Sequence, residues 1–249
     1  MPHPFSRTEL LFGRAAVERL SRCSVLLFGV GGVGSYTAEA LARGGVGGLC
    51  LVDNDTVALT NLNRQLVALH STLGMPKALV MANRCRDINP DIHAEAKQVF
   101  FTAETAGDFD FSAYDYIVDA IDTVSSKLLL AELAQQAGVP LISCMGAGNK
   151  LDPSQLEVTD IYKTSVCPLA RVMRAELRKR GINALKVVYS REPALVPMGS
   201  VDEPCAKRQT PGSVSFVPSA AGLLIASEVL KDLTQRERKE AREIFDQHK

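Results

Sequence analysis

Four glycines lie within six residues of the chain, at Gly29, Gly31, Gly32 and Gly34. They follow the apolar run 25–28, which has the composition of a buried strand. Glycines let a backbone turn tightly and bring its N–H groups, together with the start of a helix, against a phosphate group. The segment therefore predicts a phosphate-binding turn.

An acidic residue, Asp53, ends the next apolar run, 48–52, about 20 residues after the glycines. At this separation a carboxylate accepts hydrogen bonds from the ribose hydroxyls of a nucleotide. Turn glycines and a strand-end aspartate without any ligand are the alternative, but the strand, turn and helix context favours a nucleotide with an intact ribose.

Further charged and polar residues indicate that the nucleotide is a triphosphate and not a nicotinamide dinucleotide. Arg64 and Lys77 can neutralise phosphate oxygens, and Asp122 can hold Mg²⁺ that offsets the charge of a pyrophosphate leaving group. Hydride transfer needs no such charges. Each residue alone is explained as a surface charge or a helix cap, but their order after a glycine turn indicates ATP and Mg²⁺. The candidates beyond the glycines and Asp53 are Asp55, Asn61, Arg64, Gln65, Lys77 and Asp122.

The order of these motifs resembles that of the ubiquitin-activating-enzyme-like adenylyltransferases. The matching segments are the glycine turn, Asp53-Asn54-Asp55, Asn61-Leu62-Asn63-Arg64-Gln65, Lys77, Asp119-Ala120-Ile121-Asp122 and Ser215-Phe216-Val217-Pro218-Ser219-Ala220-Ala221-Gly222. The resemblance implies that Asp53 binds the ATP ribose. It also implies that Arg64, Lys77 and Asp122 bind the phosphates and the metal.

Other segments are similar to a group within that family, the tRNA threonylcarbamoyladenosine dehydratases. They are Phe12-Gly13-Arg14, Met145-Gly146-Ala147-Gly148-Asn149-Lys150-Leu151-Asp152-Pro153 and Pro168-Leu169-Ala170-Arg171-Val172. This similarity implies that ATP adenylates a threonyl carboxylate beside the tRNA anticodon, and that internal attack then releases AMP and a cyclic product. Arg14 would resemble the family's arginine finger, donated across a homodimer interface. Sulfur-transfer or cysteine desulfurase proteins are further candidate partners.

The six cysteines form no CxxC pair, and a chain of this size needs no disulfide bonds to fold. We therefore expect reduced thiols and no zinc, which counts against the zinc-bearing sulfur-carrier adenylyltransferases. Cys205 lies beside Lys207 and Arg208, whose charges would favour its thiolate if they are close in space. A catalytic thiol is one interpretation of Cys205, and a small packing residue is the other.

A basic helix over residues 169–180 is the best local candidate for contact with tRNA. Arg171, Arg174 and Arg178 recur on it at helical spacing and could follow a phosphate backbone. The alternative is a solvated face with Glu176 in its midst. Because Lys and Arg number 28 and Asp and Glu also number 28, any attraction to nucleic acid must be local.

Strands and helices alternate along the first part of the chain, which predicts an α/β, Rossmann-type, doubly wound and mostly parallel sheet. We expect one domain over 1–249, with an ATP-binding core at 1–150 and a mixed α/β substrate and dimer subregion at 151–249. The predicted strands are 25–28, 48–52, 94–101, 116–120, 139–144, 156–162 and 185–189. The predicted helices are an N-terminal one through 10–20, then 77–88, 125–137, 169–180 and a charged tail at 233–248.

Residues 1–12 lack the features of a signal peptide, and the apolar segment 214–230 is interrupted by polar residues and falls short of a membrane span. We expect a cytoplasmic enzyme. Three alternatives remain open. One is an adenylyltransferase that activates the C-terminus of a ubiquitin-like sulfur carrier, another is a nucleotide-binding scaffold without turnover, and a weaker one is an NAD dehydrogenase.

Overall fold

The protein, described by a computed structural model over residues 3–199 and 211–247, is built around a seven-stranded sheet flanked by helices. The strands are β1 (Ser24–Phe28), β2 (Gly48–Val52), β3 (His93–Lys97), β4 (Tyr116–Asp119), β5 (Leu141–Cys144), β6 (Leu156–Asp160) and β7 (Lys186–Ser190). The helices are α1 (Ser6–Phe12), α2 (Arg14–Leu20), α3 (Gly34–Gly44), α4 (Lys77–Ile88), α5 (Val124–Ala137), α6 (Pro168–Lys179), α7 (Phe216–Leu233) and α8 (Gln235–Gln247).

The strand order is β3-β2-β1-β4-β5-β7-β6, and every pair is parallel except β6 with β7. This confirms the predicted Rossmann-type sheet. The chain leaves β1 towards β2 on one side and returns to β4 on the other, so a crevice opens between the loops at the carboxyl ends of β1 and β4. Phe28, at the end of β1, lies beside Val52 of β2 and Asp119 of β4. The loops that follow these three strands therefore begin at the same level of the sheet.

Both faces of the sheet are covered, which is why its central strands are almost continuously apolar. Leu27 points to the face that packs against α3, α4 and α7, while Leu26 and Phe28 point to the face that packs against α5. Phe28 meets Phe101 with ring centroids 4.6 Å apart. Such packing fixes the strand ends from which the loops emerge.

Several predicted elements differ from the structure; among them, the predicted strand 156–162 ends at Asp160 and the predicted tail helix 233–248 begins at Gln235. The single N-terminal helix is broken at Gly13, whose positive φ of 85° separates α1 from α2. The predicted strand 94–101 ends at Lys97, because Phe101 turns into the aromatic core instead of extending the sheet. The predicted strand 139–144 begins only at Leu141. Strand 48–52 and helix 77–88 have the predicted bounds.

Strands from the C-terminal part of the chain extend the same sheet, since β7 pairs with β5 in parallel and β6 with β7 in antiparallel orientation. Helix α7 then crosses back and packs against α3. Across the described ranges, none of the helices has the length and apolarity to cross a membrane.

Gly34, the first residue of α3, has no room for a side chain, because an added Cβ would lie 1.7 Å from the Gly29 carbonyl oxygen. We expect Gly34→Ala to lower the free energy of unfolding by about 2 kcal/mol or more, since the backbone must shift. Gly107→Ala is the control, because an added Cβ there meets nothing within 4 Å. Urea unfolding of both variants measures the difference. Equal stability of the two variants would contradict the close approach.

Candidate nucleotide-binding site

The glycine turn between β1 and α3 packs against the backbone that leaves β4. Gly29 has a φ of 88°, and an added Cβ on it would lie 2.7 Å from the Ala120 carbonyl oxygen. The pairing of the strands continues into both loops, because Gly29 N donates to Val52 O and Ala120 N donates to Phe28 O, each at 2.8 Å. The turn is therefore held on both sides by the neighbouring strands.

Asp53, at the end of β2, faces this turn. Its Oδ2 accepts a hydrogen bond from Val30 N at 2.6 Å, and its Oδ1 accepts one from Asp55 N at 2.8 Å. Burial raises the pKa of Asp53 above its usual value, while the Val30 hydrogen bond, the charge of Lys77 and the Asp55 hydrogen bond oppose that rise. The carboxylate thus lies beside the turn, where it can accept hydrogen bonds from a ribose.

Arg64 and Gln65 lie over the glycines. The position of a Cβ on Gly32 would be 3.5 Å from Arg64 Cγ, and that of a Cβ on Gly31 would be 3.8 Å from Gln65 Nε2. Arg64 Nη1 also donates to Thr60 O at 3.0 Å. Larger residues at either glycine would fill the space between the turn and these side chains, so the glycines keep a cradle open.

Gln65 supplies a polar atom that points to a ligand. Its side chain is buried, and among the described residues its Oε1 has no hydrogen-bond partner. An orphan buried acceptor costs free energy unless a donor reaches it. ATP carries such donors in its ribose hydroxyls and its adenine amino group, so the site fits a nucleotide.

Asn61 shapes the turn that carries these residues. Its side-chain Oδ1 accepts from Ala58 N at 3.1 Å, and its backbone carbonyl accepts from Gln65 N at 2.9 Å. The side-chain oxygen of Asn61 is therefore used within the chain. Its neighbour Asn63 donates through Nδ2 to Ser213 O at 3.0 Å, which joins the turn to the segment that leads into α7.

Lys77 is a buried cation with an exposed partner. It begins α4, and its Nζ lies 2.7 Å from Asp55 Oδ2, whose side chain is 57% exposed. Lys77 N also donates to Asp55 O at 3.0 Å. Because Asp55 N binds the Asp53 carboxylate, Lys77 is connected to the glycine turn through two hydrogen-bonded residues.

Asp122 lies exposed in the loop between β4 and α5, two residues beyond the Ala120 carbonyl that Gly29 approaches. In the described ranges, groups of three or more His, Cys, Asp or Glu side chains able to hold a metal do not occur. Mg²⁺ commonly binds one or two carboxylates together with substrate phosphates. The single exposed carboxylate of Asp122, in the loop that the glycine turn approaches at Ala120, fits that mode of binding.

A buried ion pair, which the sequence did not predict, lies beneath this loop. Lys127, in the first turn of α5, lies 2.8 Å from Asp119 at the end of β4, and both side chains are fully buried. A lysine near the start of a helix is ordinarily a surface residue, so neither its type nor its spacing signals burial. Asp119 lies in the motif Asp119-Ala120-Ile121-Asp122, in which the sequence predicts a role for Asp122 alone.

Arg14 stands apart from these residues within one chain. It begins α2, and its side chain is 82% exposed with Nε 2.7 Å from Glu18 Oε1. The side chain is therefore accessible from outside.

The three arginines of α6 differ in their surroundings. Arg171 is exposed, Arg174 donates through Nη1 to Thr164 O at 3.0 Å, and the Arg178 guanidinium lies 5.1 Å from the centre of the Tyr162 ring. Arg174 and Arg178 therefore contact the turn before α6, while Arg171 and Arg178 are both exposed.

Cys205 lies outside the described residues. The cysteines that the structure describes are all buried: Cys23, Cys50, Cys85, Cys144 and Cys167. Burial raises the pKa of Cys144 to about 12 and that of Cys50 to about 11. A thiol that keeps its proton at neutral pH is a poor nucleophile.

The profile of the ThiF family matches residues 5–248 of the sequence. The chain belongs to the ThiF family. Within it, the chain is 44% identical over 242 residues to the tRNA threonylcarbamoyladenosine dehydratase of Bacillus subtilis (strain 168), covering 94% of this chain and 95% of the relative.

Solved structures of the Escherichia coli tRNA N6-threonylcarbamoyladenosine dehydratase share the fold of this ThiF-family chain. The complex with AMP superposes with a TM-score of 0.86 at 33% identity, and the complex with ATP with a TM-score of 0.84 at 34% identity. Each comparison covers 96% of both chains. The similarity thus extends over the sheet and its helices as a whole.

We predict that the Asp53 carboxylate contributes to the nucleotide affinity of this ThiF-family chain. Asp53→Asn should weaken ATP binding by about tenfold or more, because a neutral amide loses charge-assisted hydrogen bonds to the ribose. Since burial raises the pKa of Asp53, its carboxyl should be protonated at a higher pH than a free aspartate, so acidification from neutral pH should lower the affinity.

Calorimetric titration of ATP from neutral to acidic pH measures both effects, with the exposed Asp91→Asn as control. The pH-dependent loss should shrink in Asp53→Asn and persist in Asp91→Asn. Identical pH profiles in the wild type and Asp53→Asn would contradict a role for the carboxylate.

Proposed function

We propose that the protein is an ATP-dependent tRNA threonylcarbamoyladenosine dehydratase. It would cyclise N6-threonylcarbamoyladenosine next to the anticodon by adenylating the threonyl carboxylate. The observation that supports this best is similarity along the whole chain to the dehydratases of B. subtilis and E. coli. Gln65, beside the glycine turn, adds a buried side-chain oxygen that has no hydrogen-bond partner among the described residues.

The reaction has two steps that balance without a protein nucleophile. First, a carboxylate oxygen of the substrate attacks the α-phosphorus of ATP, and pyrophosphate leaves. Then a nucleophilic atom of the same modification attacks the activated carbonyl carbon, and AMP leaves with the former carboxylate oxygen while the ring closes. The substrate thus loses the elements of water, and ATP becomes AMP and pyrophosphate. Positioning and charge shielding are the main demands on the enzyme.

Different candidate residues would position the nucleotide and shield its charge. The N–H groups of the glycine turn and the start of α3 would bind phosphate oxygens, and Asp53 would hold the ribose. Arg64 would lie along the phosphates, because its stem already lies over Gly32. Gln65 Oε1 would accept a hydrogen bond from the nucleoside.

Lys77 would supply the second cation of the site. In the chain alone it pairs with the exposed carboxylate of Asp55, and a phosphate oxygen would compete for the same Nζ. Asp122 is the residue that would hold Mg²⁺. Bound there, the metal would neutralise charge on the pyrophosphate leaving group. Asn61 would keep the turn in shape, as its hydrogen bonds indicate.

The proposal extends to partners. A homodimer would let the exposed Arg14 of one protomer reach the phosphates bound by the other. The tRNA would lie along α6, where Arg171 is exposed. Sulfur-transfer or cysteine desulfurase proteins remain candidate partners, and the cytoplasm is the proposed compartment.

The test of function is turnover with defined substrates. The protein is incubated with Mg²⁺, ATP and either tRNA carrying the threonylcarbamoyl modification or a ubiquitin-like carrier protein, and AMP and pyrophosphate are measured. We expect both products only with tRNA, together with loss of one water from the modified nucleoside by mass spectrometry. Products only with the carrier, or nucleotide binding without turnover, would overturn the proposal.

Asp122→Ala should lower this turnover by about a hundredfold or more, because the metal loses its protein ligand. ATP binding in the absence of Mg²⁺ should persist, since the Asp122 side chain is exposed and does not belong to the hydrophobic core. Asp91→Ala, another exposed aspartate, is the matched control and should retain wild-type turnover. Full activity of Asp122→Ala would show that the metal role is wrong.

Arg14 gives a prediction about the dimer. Neither Arg14→Ala nor Asp122→Ala should be active alone, but a mixed dimer of the two should restore about half of the wild-type sites. The restored site combines the Asp122 of one protomer with the Arg14 of the other. Turnover by isolated mixed dimers measures it, and inactivity of verified mixed dimers would argue against a finger acting between protomers.

A further inference from the structure

The ion pair between Lys127 and Asp119 is fully buried, with 2.8 Å between Nζ and Oδ2. Asp119 ends β4, and Lys127 lies one helical turn into α5. The lysine side chain runs back towards the start of its helix and reaches the carboxyl ends of the strands. The two charges therefore lie beneath the loop that joins β4 to α5 and carries Asp122.

The ammonium group uses all its donors inside the protein. Besides Asp119, Lys127 Nζ donates to the carbonyl oxygens of Ile121 at 3.1 Å and Cys144 at 2.8 Å. An ammonium has three N–H groups, so none remains for a substrate. Together with complete burial, this excludes direct contact of Lys127 with ATP in this conformation.

Asp119 also uses both of its carboxylate oxygens within the protein. Its Oδ1 accepts from Ile121 N at 3.2 Å, and its Oδ2 accepts from Ser143 Oγ on β5 at 2.5 Å. Both polar groups of the Ile121 backbone are thus held by the pair: the N–H by Asp119 and the carbonyl by Lys127. The Ile121 carbonyl belongs to the peptide group that joins it to Asp122.

The same stretch of backbone meets the glycine turn. An added Cβ on Gly29 would lie 2.7 Å from Ala120 O and 3.0 Å from Ile121 N. The Ala120-Ile121 peptide therefore contacts the turn on one side and the buried pair on the other. A shift of this peptide would move Asp122 relative to the glycines.

Stability alone does not account for the pair. Removing two charges from water costs about as much as their attraction returns, so an apolar pair of similar volume would pack as well or better. What an apolar pair cannot do is hold one residue, Ile121, by both its N–H and its carbonyl. Orientation of the loop is the property that the charges add.

We propose that Lys127 is a positioning residue which, through Asp119 and the Ile121 backbone, aims the Asp122 carboxylate at a metal bound to the nucleotide phosphates. This inference rests on the proposed function of Asp122 and concerns how that carboxylate is oriented. Lys127 itself touches neither nucleotide nor metal.

The informative variant removes both charges together. Lys127→Met alone leaves the Asp119 carboxylate buried without its partner, which endangers folding. Lys127→Met combined with Asp119→Asn keeps the volume and the charge balance. The matched control is Lys186→Met combined with Asp232→Asn, which removes a 2.7 Å ion pair between β7 and α7.

Three readouts separate positioning from a structural role. Urea unfolding measures stability, and calorimetry measures binding of a non-hydrolysable ATP analogue with and without Mg²⁺. Hydrogen exchange measures the protection of the amides at residues 121–124 in the protein without nucleotide. We expect the double variant to bind the analogue without Mg²⁺ within about twofold of wild type and to need about tenfold more Mg²⁺ for half-saturation. Exchange at these amides should accelerate in the double variant, and the control should match wild type in Mg²⁺ dependence and exchange.

A folded double variant with wild-type Mg²⁺ dependence and wild-type exchange would overturn the proposal. If the double variant does not fold, Ser143→Ala takes its place, because it removes one hydrogen bond to Asp119 and leaves both charges. A shift of about two- to threefold in Mg²⁺ dependence is then expected, and no shift would overturn the proposal.

Failure of the proposed function and failure of the positioning role give different results. Should Mg²⁺ strengthen binding of the analogue while no tRNA turnover occurs, the dehydratase assignment fails and the positioning role stands. Should Mg²⁺ leave binding in the wild type unchanged, the positioning role fails whatever the substrate.

Discussion

The approach of two backbones at the carboxyl edge of the sheet is the constraint on which the rest of the structure depends. Gly29 lies so close to the Ala120 carbonyl, and Gly34 so close to the Gly29 carbonyl, that neither position can carry a Cβ. Because β1 and β4 are neighbours and end at the same level, this contact brings the glycine turn and the Asp122 loop together. A bulkier turn would separate them.

Charges around this contact are arranged in pairs that a nucleotide can rearrange. Asp53 is held by the N–H of Val30, which belongs to the turn itself, and Lys77 is held by an exposed carboxylate. The ion pair of Lys77 with Asp55 keeps that charge balanced before a ligand arrives, and a triphosphate would offer the cation a stronger partner. In contrast, Lys127 and Asp119 are buried and fully bonded, so they act as fixed structure.

Much of this arrangement could be predicted because it is local. Strand 48–52 is a continuous apolar run and helix 77–88 follows a proline, so their bounds are as predicted. The break at Gly13 was missed, since a glycine within an apolar pattern does not by itself end a helix. Lys127 was missed because its burial is set by the ends of β4 and β5, which only the fold brings to it.

The most direct measurement is a crystal structure of the protein with Mg²⁺ and an ATP analogue. The account predicts that the phosphates lie against residues 29–34 and that Arg64 and Lys77 contact their oxygens. It also predicts that the Asp122 carboxylate binds the metal. Phosphates bound elsewhere, with Arg64, Lys77 and Asp122 directed to separate surfaces, would contradict the proposed adenylation site.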